Sequence, residues 1–60
     1  MGHLKAIRIE KGLTIIELGK RVGVSGASIS RYENGKRKLS VEMAKKIAKV
    51  LEVEWPVLFD

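Results

Sequence analysis

Hydrogen-bond donors are concentrated in the middle of the sequence, in a pattern suited to binding phosphates or base edges. Arg31 is the one long donor among three serines, which are Ser25, Ser28 and Ser30. A guanidinium group can bind the O6 and N7 atoms of guanine together. Three cations follow soon after, Lys36-Arg37-Lys38, and such cations bind phosphate. The pattern favours contact with a nucleic acid, although solvated surfaces also carry serines and lysines.

The composition predicts one small domain with an anionic partner. The chain has 60 residues and a formal net charge of +5, so residues 1–60 are expected to form a single domain. This much positive charge on a small body favours a polyanion, nucleic acid first. The alternative is a lysine-rich surface that only keeps the protein in solution.

No residues are arranged for catalysis or for holding a cofactor. The chain has no cysteine and one histidine, which excludes a disulfide and argues against a zinc site. No nucleophile stands beside a base. The glycine-rich region, Gly19 to Gly26, follows no strand, as a phosphate loop would require. We predict no catalytic residue, metal, cofactor or enzyme activity, and no small-molecule effector site is evident.

The sequence contains no membrane or export signal. No segment is apolar over the roughly 18 residues that a membrane span needs, and the N-terminus lacks the apolar run of a signal peptide. Met1-Gly2 invites a myristoylation signal, but Ala6 stands where that signal has Ser or Thr. We therefore expect a cytoplasmic protein with no membrane partner.

Cap and stop signals divide the chain into short helices. Thr14 begins a Thr-x-x-Glu capping box with Glu17, and Ser25 and Ser40 stand at two further helix starts. Glycines mark the ends, and Asn34-Gly35 is interpreted as a helix stop because no alternating strands flank it. The predicted helices cover His3–Lys11, Ile15–Val22, Gly26–Asn34 and Val41–Leu51, and a short one begins within Glu54–Asp60.

Apolar residues recur at helical spacing and give each helix a buried face. Small Gly19, in the second helix, is expected to let the third helix pack closely across it. The pattern predicts an all-α fold, a compact five-helix bundle. The predicted core positions are Leu4 and Ile7; Leu18 and Val22; Ile29 and Tyr32; and Met43 or Ala44 with Ile47, Ala48 and Leu51.

The two helices joined at Gly23 form a helix-turn-helix over about residues 14–34. The second helix of such a unit enters the DNA major groove. The chain resembles the phage-repressor family, of lambda repressor and Cro type, over Leu4 to Phe59. The residues that carry the resemblance are Arg8, Lys11-Gly12-Leu13-Thr14, Glu17-Leu18, Val22-Gly23-Val24-Ser25, Ile29 to Gly35, Ile47 to Leu51 and Leu58-Phe59.

The resemblance implies a DNA-binding domain whose third helix reads operator DNA as part of a two-fold dimer. It also implies a buried, structural ion pair between Arg8 and Glu33. The expected base-reading positions are Gly26, Ala27, Ser28 and Arg31. The expected contacts to the DNA backbone are Thr14, Ser25, Ser30, Asn34, Lys36, Arg37 and Lys38.

The chain departs from the family pattern at the positions that read bases. The family usually has Gln after the Thr that caps the second helix, and this chain has Ile15. Polar readers commonly begin the third helix, where Gly26 and Ala27 stand here. Ala27 can touch a thymine methyl group but donates no side-chain hydrogen bond. We therefore expect Arg31 to carry most of the base reading and phosphate contacts to carry most of the affinity, which makes binding salt-dependent.

Two groups of apolar residues are candidates for a partner surface. Trp55, Val57 and Phe59 would form the dimer contact or, alternatively, cover the core. Ile15 and Ile16 would form a protein-binding patch or remain scattered exposed residues. The predicted function is a transcriptional repressor that binds double-stranded DNA as a homodimer. The alternative is a protein-interaction module, such as the antitoxin of a toxin–antitoxin pair or part of a coactivator.

Overall fold

The structure, a computed structural model, describes residues 3–59 and consists of helices there, with no β-strand among them. Two of the four α-helices have the predicted bounds, and α1 and α3 are shorter by one residue at one or both ends. They are α1 Leu4–Glu10, α2 Ile15–Val22, α3 Gly26–Glu33 and α4 Val41–Leu51, and a 3-10 helix follows at Trp55–Phe59.

The predicted caps begin three of these helices. The Thr14 hydroxyl accepts a hydrogen bond from the Glu17 amide at 3.0 Å, and the Glu17 carboxylate accepts one from the Thr14 amide at 2.9 Å. Both halves of the capping box are therefore formed. The Ser25 and Ser40 hydroxyls accept from the amides three residues ahead, at 3.2 and 3.1 Å. These bonds satisfy amides that helix geometry leaves without an internal partner.

Residues with a left-handed backbone conformation follow the α-helices. Gly23 has a φ of +81° between α2 and α3, and Gly35 has a φ of +73° after α3, conformations that a Cβ opposes. Gly35 is thus part of a helix stop, as predicted, and no hairpin forms there. Helix α4 ends at Leu51 as predicted, but the left-handed residue that follows it is Glu52, a non-glycine residue with a φ of +59°.

The core lies where the four helices meet. Leu18, Ile29, Ile47 and Leu51 are fully buried, and the other buried apolar residues are Leu4, Ala44, Ala48 and Leu58. Ala44, rather than Met43, takes the buried position at the start of the α4 stripe, and Met43 packs beside it. Helix α2 packs on α3 and α4, and α1 packs on α3. The predicted helix faces therefore converge on one core, which holds the α2–α3 unit.

The predicted fifth helix is a 3-10 helix, so the described residues contain four α-helices rather than five. The Val57 amide donates to the Glu54 carbonyl at 3.1 Å, which is the i to i+3 bond of such a helix. Pro56 has no amide hydrogen to donate, and a segment this short favours the tighter helix. The parts of the terminal predictions that concern Met1, Gly2 and Asp60 lie outside the described residues.

Over residues 3–59, no helix combines the length and the apolar character that a membrane span requires.

Candidate nucleic-acid interface

A buried ion pair fixes the position of α3. The Arg8 Nε donates to Glu33 Oε2 at 2.6 Å, and the Arg8 Nη2 donates to Glu33 Oε1 at 3.3 Å. The two side chains are only 9% and 3% exposed. The Arg8 Nη1 donates to the Leu13 carbonyl at 2.7 Å. One guanidinium group therefore ties α1 to the end of α3 and to the segment that leads into α2.

Gly19 sets how closely the turn approaches α2. A Cβ at this position would lie 2.6 Å from the Val24 carbonyl oxygen and 3.1 Å from the Ser25 carbonyl carbon. The predicted close contact therefore exists, but its partner is the backbone of the turn and not helix α3. The Val24 amide also donates to the Gly19 carbonyl at 2.9 Å. The absence of a side chain at 19 lets the turn bring the start of α3 directly against α2.

The N-terminal end of α3 is covered by apolar side chains. A Cβ at Gly26 would lie 3.2 Å from Ile15 Cγ2 and 3.3 Å from Ile16 Cγ1. These separations are shorter than ordinary carbon–carbon contacts. Ala27, the next position, is exposed. The first two positions of α3 thus offer a backbone and one methyl group, with no long side chain.

The serines near this end bond to each other and to the backbone. The Ser25 hydroxyl donates to the Ser28 hydroxyl at 3.3 Å while it accepts from the Ser28 amide. Ser25 is exposed and Ser28 is half-buried. Further along the helix, the Asn34 Nδ2 donates to the Ser30 hydroxyl at 3.3 Å. These hydroxyls are held in place by local bonds and are partly accessible to a ligand.

The C-terminal end of α3 continues directly into the basic loop, residues 36–38. Arg31 is exposed, and its backbone carbonyl accepts from the Lys36 amide at 2.9 Å and from the Arg37 amide at 3.2 Å. The Arg37 guanidinium lies 5.6 Å from the centre of the Tyr32 ring, within the range of a cation–π contact. Lys36 and Lys38 are exposed. The cations are therefore grouped on a loop that is folded back onto α3.

The start of α2 lies beside the N-terminal end of α3 and carries one anionic side chain, Glu17. Hydrogen bonds from the Thr14 amide and the Thr14 hydroxyl lower the pKa of Glu17 below its ordinary value of 4.5, and nearby Arg21 and Lys20 act in the same direction. Glu17 is therefore a stable anion at neutral pH. Thr14, a predicted contact to the DNA backbone, is exposed. Its hydroxyl already accepts the capping hydrogen bond from the Glu17 amide.

The two candidate partner groups differ in exposure. Ile16 is 64% exposed, whereas Ile15 is half-buried and packs against the core. In the 3-10 helix, Trp55 and Val57 are half-buried and Phe59 is 44% exposed. The Trp55 and Phe59 rings meet edge to face at 6.0 Å. Of these five candidate residues, Ile16 and Phe59 are the exposed ones, and Trp55 packs against the core.

Over residues 3–59, His, Cys, Asp and Glu side chains do not gather in groups of three that could hold a metal ion.

Two features of the surface have no clear signal in the sequence. One is the Arg37–Tyr32 contact, and the other is a cleft beside it that is formed by residues far apart in the chain.

Comparison with known proteins identifies the family. A family profile described as helix-turn-helix matches residues 4–58. The chain belongs to this helix-turn-helix family, of lambda repressor and Cro type. Two curated proteins of Bacillus subtilis (strain 168), both transcriptional regulators, are similar to it. Together with the family, they confirm the expectation that the chain is not an enzyme.

The helix-turn-helix relatives differ in length. The HTH-type transcriptional regulator YqaF is 40% identical over 57 residues, which cover 95% of this chain and 75% of YqaF. The HTH-type transcriptional repressor RghR is 43% identical over 54 residues, which cover 88% of this chain but 40% of RghR. Among solved structures, the master regulator for biofilm formation SinR, in complex with DNA, has a TM-score of 0.87 and 30% identity. That match covers 97% of this chain and 94% of the SinR chain.

Proposed function

We propose that the chain is a DNA-binding transcriptional regulator, a repressor, that places α3 in the major groove of operator DNA. One observation carries the proposal. Helix α3 is fixed by a buried ion pair, and its exposed C-terminal end is hydrogen-bonded to the basic loop. The family match supports it, as do the name of RghR, a repressor, and the SinR structure, which contains DNA. The proposed unit is a single domain over residues 1–60, and the proposed location is the cytoplasm.

The affinity comes mainly from phosphate contacts. Exposed cations release counterions when they meet DNA, which is a large favourable term at low salt. Base reading depends on Arg31, which suits guanine, with help from Ser28 and with Ala27 against a thymine methyl group. Gly26 contributes its backbone. The proposed phosphate-binding residues are Thr14, Ser25, Ser30, Asn34, Lys36, Arg37 and Lys38.

The regulator acts as a homodimer. One domain of this size makes few contacts, and a two-fold pair doubles them on half-sites about 34 Å apart. Phe59, which is 44% exposed and packs edge to face on Trp55, is the proposed centre of the dimer contact. Sedimentation of the protein with a selected duplex should give two protomers per site. A single protomer per site would refute the dimer.

The test of base reading begins with selection of bound duplexes from a random pool. Binding of the selected duplex and of a scrambled duplex is then compared by fluorescence anisotropy. Arg31→Ala should reduce the preference for the selected site by about 10-fold, since one bidentate contact discriminates by about 1–3 kcal/mol. The control is Lys49→Ala, an exposed cation of α4, which should keep the preference. An unchanged preference in the Arg31 variant would refute its proposed role.

A second candidate function is protein interaction through Ile16. This side chain is 64% exposed at the start of α2, and exposed apolar surface marks many interaction sites. The proposal would be supported if the protein bound no duplex even at low salt. It would also be supported if Ile16→Glu abolished association with a protein partner while DNA affinity stayed the same.

A further inference from the structure

A cleft of about 490 Å³ lies behind the basic loop. Its apolar walls come from three parts of the chain, with Leu4 from α1, Tyr32 and Leu39 on either side of the loop, and Leu58 and Phe59 from the 3-10 helix. Clefts that bind small molecules are usually about 300–1,000 Å³ and mostly apolar, with a few polar groups that orient the ligand. The size and lining of this cleft fit that description.

The cleft is lined by one acidic side chain, which is already paired, and by two basic ones. Glu33 is its one acidic lining residue, and both of its oxygens accept hydrogen bonds from the Arg8 guanidinium. Arg37 and Lys38 also line the cleft, and Asn34 adds an amide. The Arg37 guanidinium is held beside the aromatic wall by its contact with Tyr32, 5.6 Å away. The cleft therefore combines an apolar floor with a cationic rim.

We propose that this cleft binds a small amphipathic anion, an apolar or aromatic body that carries a carboxylate or sulfonate. The apolar body packs against Leu39, Leu58 and Phe59, and the anionic group binds Arg37 and Lys38. The complementary charge and the limited volume favour a small anion over a protein segment.

The same ligand would compete with DNA. Asn34, Arg37 and Lys38 line the cleft, and the proposed function assigns these three residues to DNA phosphates. An anion that engages the two cations withdraws them from the DNA backbone. The competition therefore rests on the proposed function, whereas binding of the anion does not.

The binding test uses 8-anilinonaphthalene-1-sulfonate, an aromatic anion that fluoresces in apolar sites, and the uncharged N-phenyl-1-naphthylamine. The doubly substituted Arg37→Ala/Lys38→Ala protein should bind the sulfonate about 10-fold more weakly, because charge-assisted hydrogen bonds are lost. Its affinity for the uncharged probe should change less than twofold. Phe59→Ser, which removes part of the apolar wall, should weaken the binding of both probes.

The control is Lys46→Ala/Lys49→Ala, which removes two exposed cations of α4 and should leave sulfonate binding unchanged. Circular dichroism verifies that each variant is folded, since partly unfolded proteins also bind this probe. Equal weakening by both double variants would mean that the sulfonate responds only to net charge, and would overturn the proposal. The proposed function also places Phe59 at the centre of the dimer contact, so the titrations use protein concentrations at which sedimentation shows single protomers. Loss of sulfonate binding under those conditions would mean that the probe occupies a site formed between two copies of the chain, and would overturn the proposal.

The competition test adds a duplex to the protein–sulfonate complex. Displacement of the probe, lost in the Arg37→Ala/Lys38→Ala protein, supports shared use of the cations. Simultaneous binding of duplex and probe would overturn the competition. If the protein binds the probe through Arg37 and Lys38 but no duplex at low salt, the proposed function fails while the anion site stands.

Discussion

The two ends of α3 carry opposite chemistry. At the N-terminal end, Gly26 lies under Ile15 and Ile16, and Ala27 offers one methyl group. At the C-terminal end, Arg31 is exposed and its carbonyl bonds the amides that begin the basic loop. The N-terminal end of the second helix of a helix-turn-helix contacts base edges, and this end has only small side chains here. The C-terminal end, which we propose contacts the DNA backbone, continues into a cationic loop. We infer that charge, more than base edges, supplies the binding energy.

The two ends also differ in what holds them. The C-terminal end is fixed by the Arg8–Glu33 ion pair, whose atoms are almost fully buried. The N-terminal end is fixed by close packing, because Gly19 admits the turn and Gly26 admits the isoleucines. A charged anchor is costly to break, whereas a packed contact can adjust by small shifts. Substitutions at the two ends should therefore lower the free energy of unfolding by different amounts and for different physical reasons.

The largest effect is expected from the anchor. Glu33→Gln leaves the Arg8 charge buried without a counter-charge, so the free energy of unfolding should fall by about 3–5 kcal/mol. Chemical denaturation, followed by circular dichroism, measures this change. Glu10→Gln makes the same chemical change at an exposed site of α1 and should alter stability by less than about 0.5 kcal/mol. Similar small effects at both positions would show that the ion pair does not anchor α3.

The next effect concerns the packed end. Gly26→Ala adds a Cβ that must push Ile15 and Ile16 aside, and Ile16→Ala removes the Cγ1 methylene, one of the two contacting side-chain atoms. The two changes should therefore be non-additive, with a coupling free energy of about 0.5–1 kcal/mol in a double-mutant cycle. Ile9→Ala, at another exposed isoleucine, is the control and should add to Gly26→Ala independently. Additivity in both cycles would mean that Ile16 does not restrict position 26.

The smallest effect comes from the cap of α2, which supports the packed end. The pKa of Glu17 is lower in the folded protein than its ordinary value of 4.5. Its ionised form therefore stabilises the fold above that value, and the contribution is lost as the pH falls through the folded-state pKa. Wild-type stability should fall more steeply than that of Glu17→Gln as the pH is lowered below 4.5. Parallel stability curves for the two proteins would contradict this.

Local rules explain why much of the fold could be predicted from the sequence. The caps at Thr14, Ser25 and Ser40 and the stop at Gly35 depend on neighbouring residues, and each was predicted correctly. The apolar stripes gave the buried faces for the same reason. The end of α4 at Leu51 was also predicted, but the left-handed conformation of Glu52 was not, because nothing in its residue type indicates it.

Contacts between distant parts of the chain could not be predicted in the same way. A glycine in mid-helix signals a close neighbour at position 19, but the sequence does not say whether that neighbour is a helix or a turn. The half-burial of Ile15 and the exposure of Ile16 depend on where α3 starts. The cleft joins α1, the basic loop and the 3-10 helix, and no short-range pattern links these segments.

The most direct test of the central claim is the salt dependence of binding to a random duplex. Observed association constants are measured by anisotropy over a series of salt concentrations for the wild-type protein, Lys36→Ala and the exposed control Lys46→Ala. The account predicts that binding is strong at low salt and that Lys36→Ala flattens the plot of log K against log salt by about 0.9 per protomer. Lys46→Ala should leave the slope unchanged. Equal slopes for Lys36→Ala and the wild-type protein, or no binding at low salt, would contradict the account.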